Sequence, residues 1–186
     1  MFNDRYHHTN AVIEERKTRA TQIMAGIDFP VNMVMGRVLP DKDGKVYAVA
    51  NGENIIVKLR YKVGEVVAVA QCYNDVVREF TDLAFVPGST NKMFVRADLM
   101  PHQIRIIGIR CERLRDISDE ECIKEGVYAG SQALEYPYYF IDTKQFLICD
   151  YKSPREAFAA LIDKVSGRGT WDRNPWVVVY EFELVK

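Results

Sequence analysis

Long apolar segments are missing from this chain of 186 residues. A membrane-spanning helix needs about 20 consecutive apolar residues, whereas the apolar run at 176–179 has only the length of a strand. The N-terminal sequence also lacks an apolar stretch after a basic start, so it predicts no secretory signal. We therefore expect a cytoplasmic protein with no membrane partner.

Cysteine pairs with the spacing of metal or redox sites are absent as well. No CxxC or CxxH motif is formed by the four cysteines, which lie far apart at Cys72, Cys111, Cys122 and Cys149, and this spacing favours reduced thiols. His7 and His8 have no acidic or cysteine partner at ligand spacing, so we expect a solvated pair. The sequence predicts neither a metal site nor a cofactor.

Neither sign of charge is in excess, since 25 lysines and arginines face 26 aspartates and glutamates, for a formal net charge of -1. This balance argues against a protein that binds nucleic acid by bulk electrostatics, although it allows a local basic face. With 48% apolar residues the chain has enough material for a packed core. GxGxxG, GxxxxGK(S/T), GxSxG and HExxH motifs are all missing, which disfavours a parallel nucleotide-binding sheet, a serine hydrolase and a zinc hydrolase.

Runs of β-branched residues separated by turn residues dominate the chain from about residue 33. Asn51-Gly52 lies between two such runs, 46–50 and 55–60, and predicts a β-hairpin. The clearest strand pattern is at 104–114, where alternate residues form two sets that both contain apolar side chains, as in a strand inside a sheet. Further strands are predicted over 66–71, after the turn at 62–65, and over 92–96 and 176–184.

Capping residues mark the helices. Thr9 or Asn10 is a candidate N-cap for a short first helix. Ser118 and Glu121 predict a capping box for a helix of about two turns that ends before Gly126. A longer helix is predicted to start at Ser153-Pro154, to bury a stripe of Phe158, Leu161, Ile162 and Val165, and to end at Gly167.

These segments add up to about six to eight strands and two or three short helices, without βαβ alternation. This pattern is typical of an α+β domain built on an antiparallel sheet or a small barrel. We expect a single domain over 1–186, with a β-hairpin insertion around 33–60. The aromatic segment 136–140 is either a core segment or an exposed interaction loop.

Two charged side chains are candidates for chemistry. Glu125 is in the last turn of its predicted helix, where the helix dipole disfavours a carboxylate. Lys17 is part of the basic segment 16–19, and it gains a chemical role only if the fold brings it into a cleft. Spacing alone does not decide whether the two side chains meet.

Five groups of short motifs follow one another along nearly the whole chain. They are Val-Ile-Glu-Glu-Arg-Lys-Thr at 12–18, Tyr-Lys-Val-Gly-Glu-Val at 61–66, Met-Pro and Ile-Arg-Ile within 100–106, Glu-Arg-Leu-Arg-Asp-Ile-Ser at 112–118 with Glu-Gly-Val at 125–127, and Trp-Asp-Arg-Asn-Pro-Trp-Val at 171–177 with Glu-Phe at 181–182. In this order they resemble the ASCH domains of the PUA-like superfamily, especially the longer form common in phage and prophage genomes. The first motif resembles the opening pattern I-L-x-G-R/K-K-T of that family.

The resemblance implies a PUA-like mixed or antiparallel β-barrel flanked by two or three short helices, with a cleft between barrel and helices. Such domains are associated with RNA or modified nucleosides, so our leading hypothesis is a module that binds RNA or a nucleoside-like ligand in this cleft. Tyr61 or Tyr73 offers a stacking face for a base. The expected ligand-binding residues are Arg16, Lys17, Arg19, Tyr61, Arg105 and Glu125.

A second hypothesis follows from small relatives that remove the acyl group from N4-acetylcytidine with a lysine, a threonine and a glutamate. The lysine matches Lys17 and the glutamate matches Glu125, whereas the threonine position falls on Ala20, which has no hydroxyl. Thr18 and Thr21 are candidate substitutes, and a local bulge is expected to be needed because a shift of one residue reverses the face of a strand. Whether the protein is an enzyme therefore stays open.

A third hypothesis is an interaction domain of a mobile element that has no nucleic-acid role. The near-neutral net charge is consistent with this function. It predicts that no continuous positive face surrounds Lys17 and Arg105. The sequence does not indicate an oligomeric state.

Overall fold

Half of a β-barrel forms the centre of the fold. The structure is a computed structural model that describes residues 8–24, 35–40, 46–50, 53–76, 86–130, 139–141 and 148–185. Within these residues a curled, antiparallel four-stranded sheet is combined with a few helices. The predicted α+β class and the barrel-like antiparallel sheet are confirmed.

The central sheet joins an early strand of the chain to the last one. Its strand order is β1 (Arg19–Ile23), β10 (Trp176–Val185), β6 (Gln103–Arg113) and β5 (Val66–Ala68), and every neighbouring pair is antiparallel. The predictions of a strand over 104–114 inside a sheet and of a final strand over 176–184 are confirmed. β5 ends before residue 71, where the amide of Gln71 donates to the sulfur of Met100 instead of a strand carbonyl.

A β-bulge in β6 changes which of its side chains share a face. The register shift between Glu181 and Phe182 leaves Ile107 without a partner in β10, and Ile107 is 51% exposed. The alternation predicted over 104–114 is wrong beyond this point, because one unpaired residue moves every later side chain to the other face. As a result, one apolar cluster contains Ile104, Ile106, Ile109 and Cys111.

The two faces of the central sheet carry separate apolar clusters, as the alternation along β10 requires. We call one the helix face, because Val177 and Val179 pack there against helix residues such as Phe158. We call the other the inner face of the half barrel. It carries Val178, Tyr180 and Phe182 of β10, together with Ile104 and Ile106 of β6.

The two helices on the helix face, α3 (Asp119–Lys124) and α4 (Pro154–Ser166), begin at the predicted caps. Ser118 and Glu121 exchange side-chain-to-amide hydrogen bonds and close the capping box, while Ser153 accepts from the amide of Glu156. The sequence pattern does not predict the short α5 (Thr170–Arg173). Among the described helices, none combines the length and the apolar composition that crossing a bilayer requires.

The start of the chain differs from the prediction. α1 (His8–Ile13) begins before the expected caps, so Thr9 and Asn10 belong to the helix itself. The hydroxyl of Thr9 is buried and accepts a hydrogen bond from the ammonium of Lys92. The strand predicted over 92–96 is also wrong, because this segment consists of turns and the amide of Arg96 donates to the hydroxyl of a tyrosine in α2 (Tyr73–Val76).

Two smaller antiparallel sheets complete the described structure. β2 (Met35–Pro40), β3 (Val46–Ala50) and β4 (Glu53–Lys58) form one, and the pairing of β3 with β4 confirms the predicted hairpin, whose tip at 51–52 lies outside the described residues. β7 (Tyr128–Ala129), β8 (Tyr139–Ile141) and β9 (Ile148–Tyr151) form the other. Of the aromatic segment 136–140, Tyr139 packs against the core and Phe140 stacks on Tyr128, while the remainder lies outside the described residues.

The stripe predicted on α4 is only partly buried. Phe158, Leu161 and Ile162 belong to the core, whereas Val165 is 45% exposed. The prediction is wrong for Val165, because the buried residues of α4 all lie between Pro154 and Ile162.

Replacing Phe158 by alanine is therefore expected to lower the free energy of unfolding by about 3–5 kcal/mol, because it opens a cavity beneath α4. Val165→Ala in the same helix is the matched control and is expected to change it by less than about 0.5 kcal/mol. Urea unfolding followed by circular dichroism measures both values. A loss in the control as large as that in F158A would contradict the placement of the two side chains.

Candidate functional site

Lys17 and Glu125, 108 positions apart, meet in the interior of the protein. The Nζ atom of Lys17 lies 2.8 Å from Oε2 of Glu125 and 2.5 Å from the backbone carbonyl oxygen of the same residue. The two residues are 3% and 4% exposed, so water hardly reaches the ion pair. Because a buried charge without a partner is costly, each side chain holds the other in place.

Two backbone turns bring the pair together. Glu15 ends the turn after α1 with a φ of 57°, and Gly126 follows α3 with a φ of 101°. The amide of Thr18 donates to the carbonyl of Lys124 at 3.1 Å, which ties the start of β1 to the end of α3. Lys17 therefore places its positive charge at the C-terminal end of α3, where the helix dipole favours a cation.

The guanidinium of Arg19 extends the ion pair into a network. Arg19 is 1% exposed, and its Nε lies 3.3 Å from Oε1 of Glu125. Its two terminal nitrogens reach the neighbouring helix and strand, since Nη1 lies 2.6 Å from Oε1 of Glu121 and Nη2 pairs with Glu112. Arg19 thus pairs with three carboxylates, and its guanidinium is shielded from solvent.

Arg110 closes the network on β6. It pairs with Glu112 and Glu121, which Arg19 also contacts, and with Glu181 of β10. Burial raises the pKa of Glu121, but the Ser118 amide and the two guanidinium groups together bring that pKa below its ordinary value. We call the whole set the charged cluster; it contains Lys17, Arg19, Arg110, Glu112, Glu121, Glu125 and Glu181.

A threonine hydroxyl also reaches Glu125. Thr21 donates to Oε1 of Glu125 from the face of β1 that carries Arg19. Ala20, which matches the threonine of the family that the sequence resembles, packs instead in the apolar cluster of the inner face. The expected bulge is not present, because β1 pairs with β10 in regular register. Thr21 needs no bulge to reach Glu125, since Glu125 lies on the same side of β1 as the Thr21 side chain. Thr18 contacts α3 and β10 through its backbone.

A cavity of about 510 Å³ lies on the inner face of the central sheet. This volume is within the usual range of small-molecule sites, about 300–1,000 Å³. The apolar part of its wall consists of Ala20, Val67, Ala68, Ala70, Ile104, Ile106 and Phe182. The other lining residues are Thr21, Gln22, Arg60, Tyr61 and Tyr180.

The cavity and the charged cluster lie on opposite sides of β1. Neither Lys17 nor Glu125 is among the described residues that line the cavity, whereas Ala20 and Gln22 are. Thr21 belongs to both places, because it forms part of the cavity wall and donates to Glu125. The two side chains that the sequence singles out therefore meet, but they meet behind the cavity wall.

The other expected cationic residues lie apart from this site. The guanidinium of Arg16 lies 4.1 Å from the ring centroid of Tyr128 and pairs with Glu14. Arg105 is exposed, and its Nη1 lies 2.8 Å from Oε1 of Glu183. Both are consequently surface groups that already have partners.

The two candidate tyrosines have different positions. Tyr61 lines the cavity, and its ring meets that of Tyr180 edge-on with the centroids 5.3 Å apart. Tyr73 is only 3% exposed, so it is a core residue and offers no face for stacking. The expectation of a stacking face at Tyr73 is wrong.

The described thiols are not suited to nucleophilic catalysis. Burial raises the pKa of Cys111 to about 11 and that of Cys122 to about 12, so both are protonated at neutral pH. Cys72 donates its S–H to Asp75. Cys111 and Cys122 are free thiols. Within the described parts of the chain, no group of three or more His, Cys, Asp or Glu side chains is placed to hold a metal ion.

His8 lies beside the charged cluster and is partly buried. Its Cδ2 atom is 3.7 Å from the position that a Cβ would occupy at Gly126, next to Lys17. Burial and the positive charges of Lys17 and Lys92 lower its pKa to about 2. The expectation of a solvated histidine pair is wrong for His8, while His7 lies outside the described residues.

The sequence does not predict several residues of the charged cluster and of the cavity. Arg110 and Glu112 alternate on one strand, and two opposite charges at this spacing indicate a shared face. Arg60 and Gln22 carry no local signal, because Arg60, between β4 and β5, and Gln22 of β1 line the same cavity only in the folded chain.

Comparisons of the chain with protein-family models, with curated proteins and with solved structures gave no match. The resemblance to ASCH domains and the expected domain organisation therefore stay predictions. What bears on function is the geometry of the cavity and of the charged cluster behind it.

The low pKa of His8 predicts a loss of stability in mild acid. Folding keeps His8 neutral down to about pH 2, whereas the unfolded chain takes up a proton below its ordinary pKa of 6.5. Because the unfolded state then binds more protons, the free energy of unfolding falls as the pH falls from 6.5 towards 2. We expect His8 to account for a loss of about 1 kcal/mol between about pH 7.5 and about pH 5.5.

Urea unfolding of the wild type and of His8→Gln at the two pH values measures this contribution as the difference between their pH dependences. The same measurements on H102Q show whether removing any histidine has this effect. An identical pH dependence in the wild type and in H8Q would contradict the burial of a neutral His8.

Proposed function

We propose that this protein is an ASCH-like module that binds a nucleoside-like ligand in the cavity on the inner face of the central sheet. The observation that carries the proposal is the wall of this cavity, which is mostly apolar and has polar groups at Gln22, Arg60 and Tyr180. A nucleobase has apolar faces and polar edges, and a wall of this kind complements both. The volume of about 510 Å³ suits a ligand of this size.

The aromatic part of the wall is already held in position. The amide of Arg60 donates to the hydroxyl of Tyr180 at 3.1 Å, and the rings of Tyr61 and Tyr180 meet at 77°. A wall that is ordered before binding costs little conformational entropy when a ligand enters. This supports a binding site with Tyr61 as the aromatic contact.

The arrangement of charge favours a small ligand over a long RNA. RNA affinity depends strongly on lysine and arginine contacts to phosphates. Lys17 and Arg19 are buried among carboxylates, and Arg105 pairs with Glu183, so these residues do not form a continuous positive face. An interaction domain without a nucleic-acid role has the same property, and a binding assay separates the two hypotheses.

One backbone feature supports the family resemblance itself. In the opening pattern I-L-x-G-R/K-K-T, the glycine corresponds to Glu15. Glu15 has a φ of 57°, a conformation that glycine adopts readily and other residues rarely. The turn that this pattern needs before its lysine is thus present, although the residue differs.

Filling the cavity is expected to abolish binding. Ala70→Phe places a ring in the cavity that Ala70 lines, and we expect at least about 10-fold weaker binding of the four ribonucleosides and of N4-acetylcytidine. Isothermal titration calorimetry measures the affinities. Ala129→Phe, on the exposed surface of β7, is the matched control and is expected to bind like the wild type. Failure of the wild type to bind both these five compounds and the ribonucleoside 5′-monophosphates, or unchanged binding to A70F, would refute the proposal.

A second candidate function rests on the hydrogen bond from Thr21 to Glu125. A hydroxyl beside a carboxylate that a third group orients is the arrangement of an activated nucleophile. In an amidohydrolase acting on an N4-acylated cytidine, Oγ1 of Thr21 attacks the carbonyl carbon and its proton passes to Glu125. Lys17 and Arg19 hold the carboxylate in position. The C–N bond breaks and the cytidine amine leaves with the proton that Glu125 received. Water then hydrolyses the acyl ester on Thr21, which releases the carboxylic acid and restores the hydroxyl.

Incubation with N4-acetylcytidine, followed by chromatography, tests this activity. We expect Thr21→Val, which keeps the shape but removes the hydroxyl, to reduce turnover by about 10²–10⁴-fold. Thr18→Val is the matched control and is expected to retain turnover. Equal activity of T21V and the wild type would rule out Thr21 as the nucleophile, and absence of turnover in the wild type would leave the protein as a binding module only.

A further inference from the structure

We infer that the ligand carries a phosphoryl group and that Arg60 binds this group at the edge of the cavity. The inference rests on the proposed function and specifies its ligand class, a phosphorylated nucleoside and not a free one. Arg60 is not among the residues that the sequence analysis singles out.

The charge balance of the cavity wall is the first observation. Among the described lining residues, Arg60 is the cation, and no carboxylate lines the cavity with it. Arg60 is exposed and, within the described parts of the chain, has no carboxylate at ion-pair distance. By contrast, the exposed Arg96 and Arg105 both form ion pairs. A charge that is left available at the edge of a ligand-sized cavity is suited to an anionic ligand group.

The direction of the neighbouring acidic side chains is the second observation. Glu181 and Glu183 of β10 alternate with Tyr180 and Phe182, which line the cavity. Successive side chains of a strand point to opposite faces, so both carboxylates project away from the cavity. Glu181 pairs with Arg110 and Glu183 pairs with Arg105 on that other face, where they do not compete for Arg60.

The position of Arg60 relative to the aromatic wall is the third observation. Its guanidinium carbon lies 5.5 Å from the ring centroid of Tyr61, and its backbone amide is held by the hydroxyl of Tyr180. A base that contacts the ring of Tyr61 brings its sugar phosphate close to the guanidinium. The planar fork of an arginine binds two oxygens of a phosphate at once.

Isothermal titration of the wild type with each ribonucleoside and its 5′-monophosphate tests the inference. We expect the monophosphate to bind about 10-fold tighter or more, and this preference to shrink as the salt concentration rises. Arg60→Gln is expected to remove the preference. The readout is the ratio of the monophosphate affinity to the nucleoside affinity within each variant, so a change that affects both ligands equally does not alter it. Arg105→Gln is the matched control, because it removes an exposed arginine from the other face, and it is expected to keep the preference.

Three results would overturn the inference while leaving the proposed function intact. They are equal wild-type affinities for nucleosides and monophosphates, a preference that survives in R60Q, and a preference that disappears in R105Q. If neither nucleosides nor monophosphates bind the wild type, the proposed function fails and the inference fails with it. A trinucleotide distinguishes the source of the phosphate. If it binds tighter than the monophosphate, the ligand is RNA, and if it binds more weakly, the ligand is a free nucleotide. In either case R60Q must weaken binding.

Discussion

The buried ion pair between Lys17 and Glu125 connects parts of the chain that are distant in sequence. It joins the segment before β1 to the end of α3, and Arg19 continues the connection to Glu112 on β6. Removing one partner of such a pair costs about 3–5 kcal/mol, because the other charge stays buried without compensation. The pair therefore fixes the position of β1 at the edge of the central sheet, and with it one wall of the cavity.

The central sheet keeps charged and apolar groups on separate faces. The bulge at Ile107 makes this separation possible, because it directs Arg110 and Glu112 to the charged cluster and Cys111 to the inner face. Gly108 lies at the same point: a Cβ there would lie 2.9 Å from Oε2 of Glu181, so a larger residue would displace the end of this side chain. Charges of the cluster neutralise one another, and the inner face stays mostly apolar.

This separation gives the binding and hydrolytic hypotheses different residues. Ligand binding depends on the cavity wall with Tyr61 and Arg60, whereas hydrolysis depends on Glu125 and Lys17 behind that wall. Thr21 connects the two, since it lines the cavity and donates to Glu125. A ligand in the cavity therefore contacts the charged cluster through Thr21, while the buried cations remain occupied by carboxylates.

Local patterns are enough to predict several elements: the capping box at Ser118, the hairpin of β3 and β4, and the long strands β6 and β10. These depend on spacing over a few residues, which a sequence displays directly. Only the tertiary structure decided the rest. The bulge at Ile107 arises from pairing with β10, and the environments of His8 and Tyr73 depend on distant segments. Arg60, between β4 and β5, reaches the cavity only when its segment meets the central sheet. Such placements depend on contacts between residues far apart in the chain, and no local pattern encodes them.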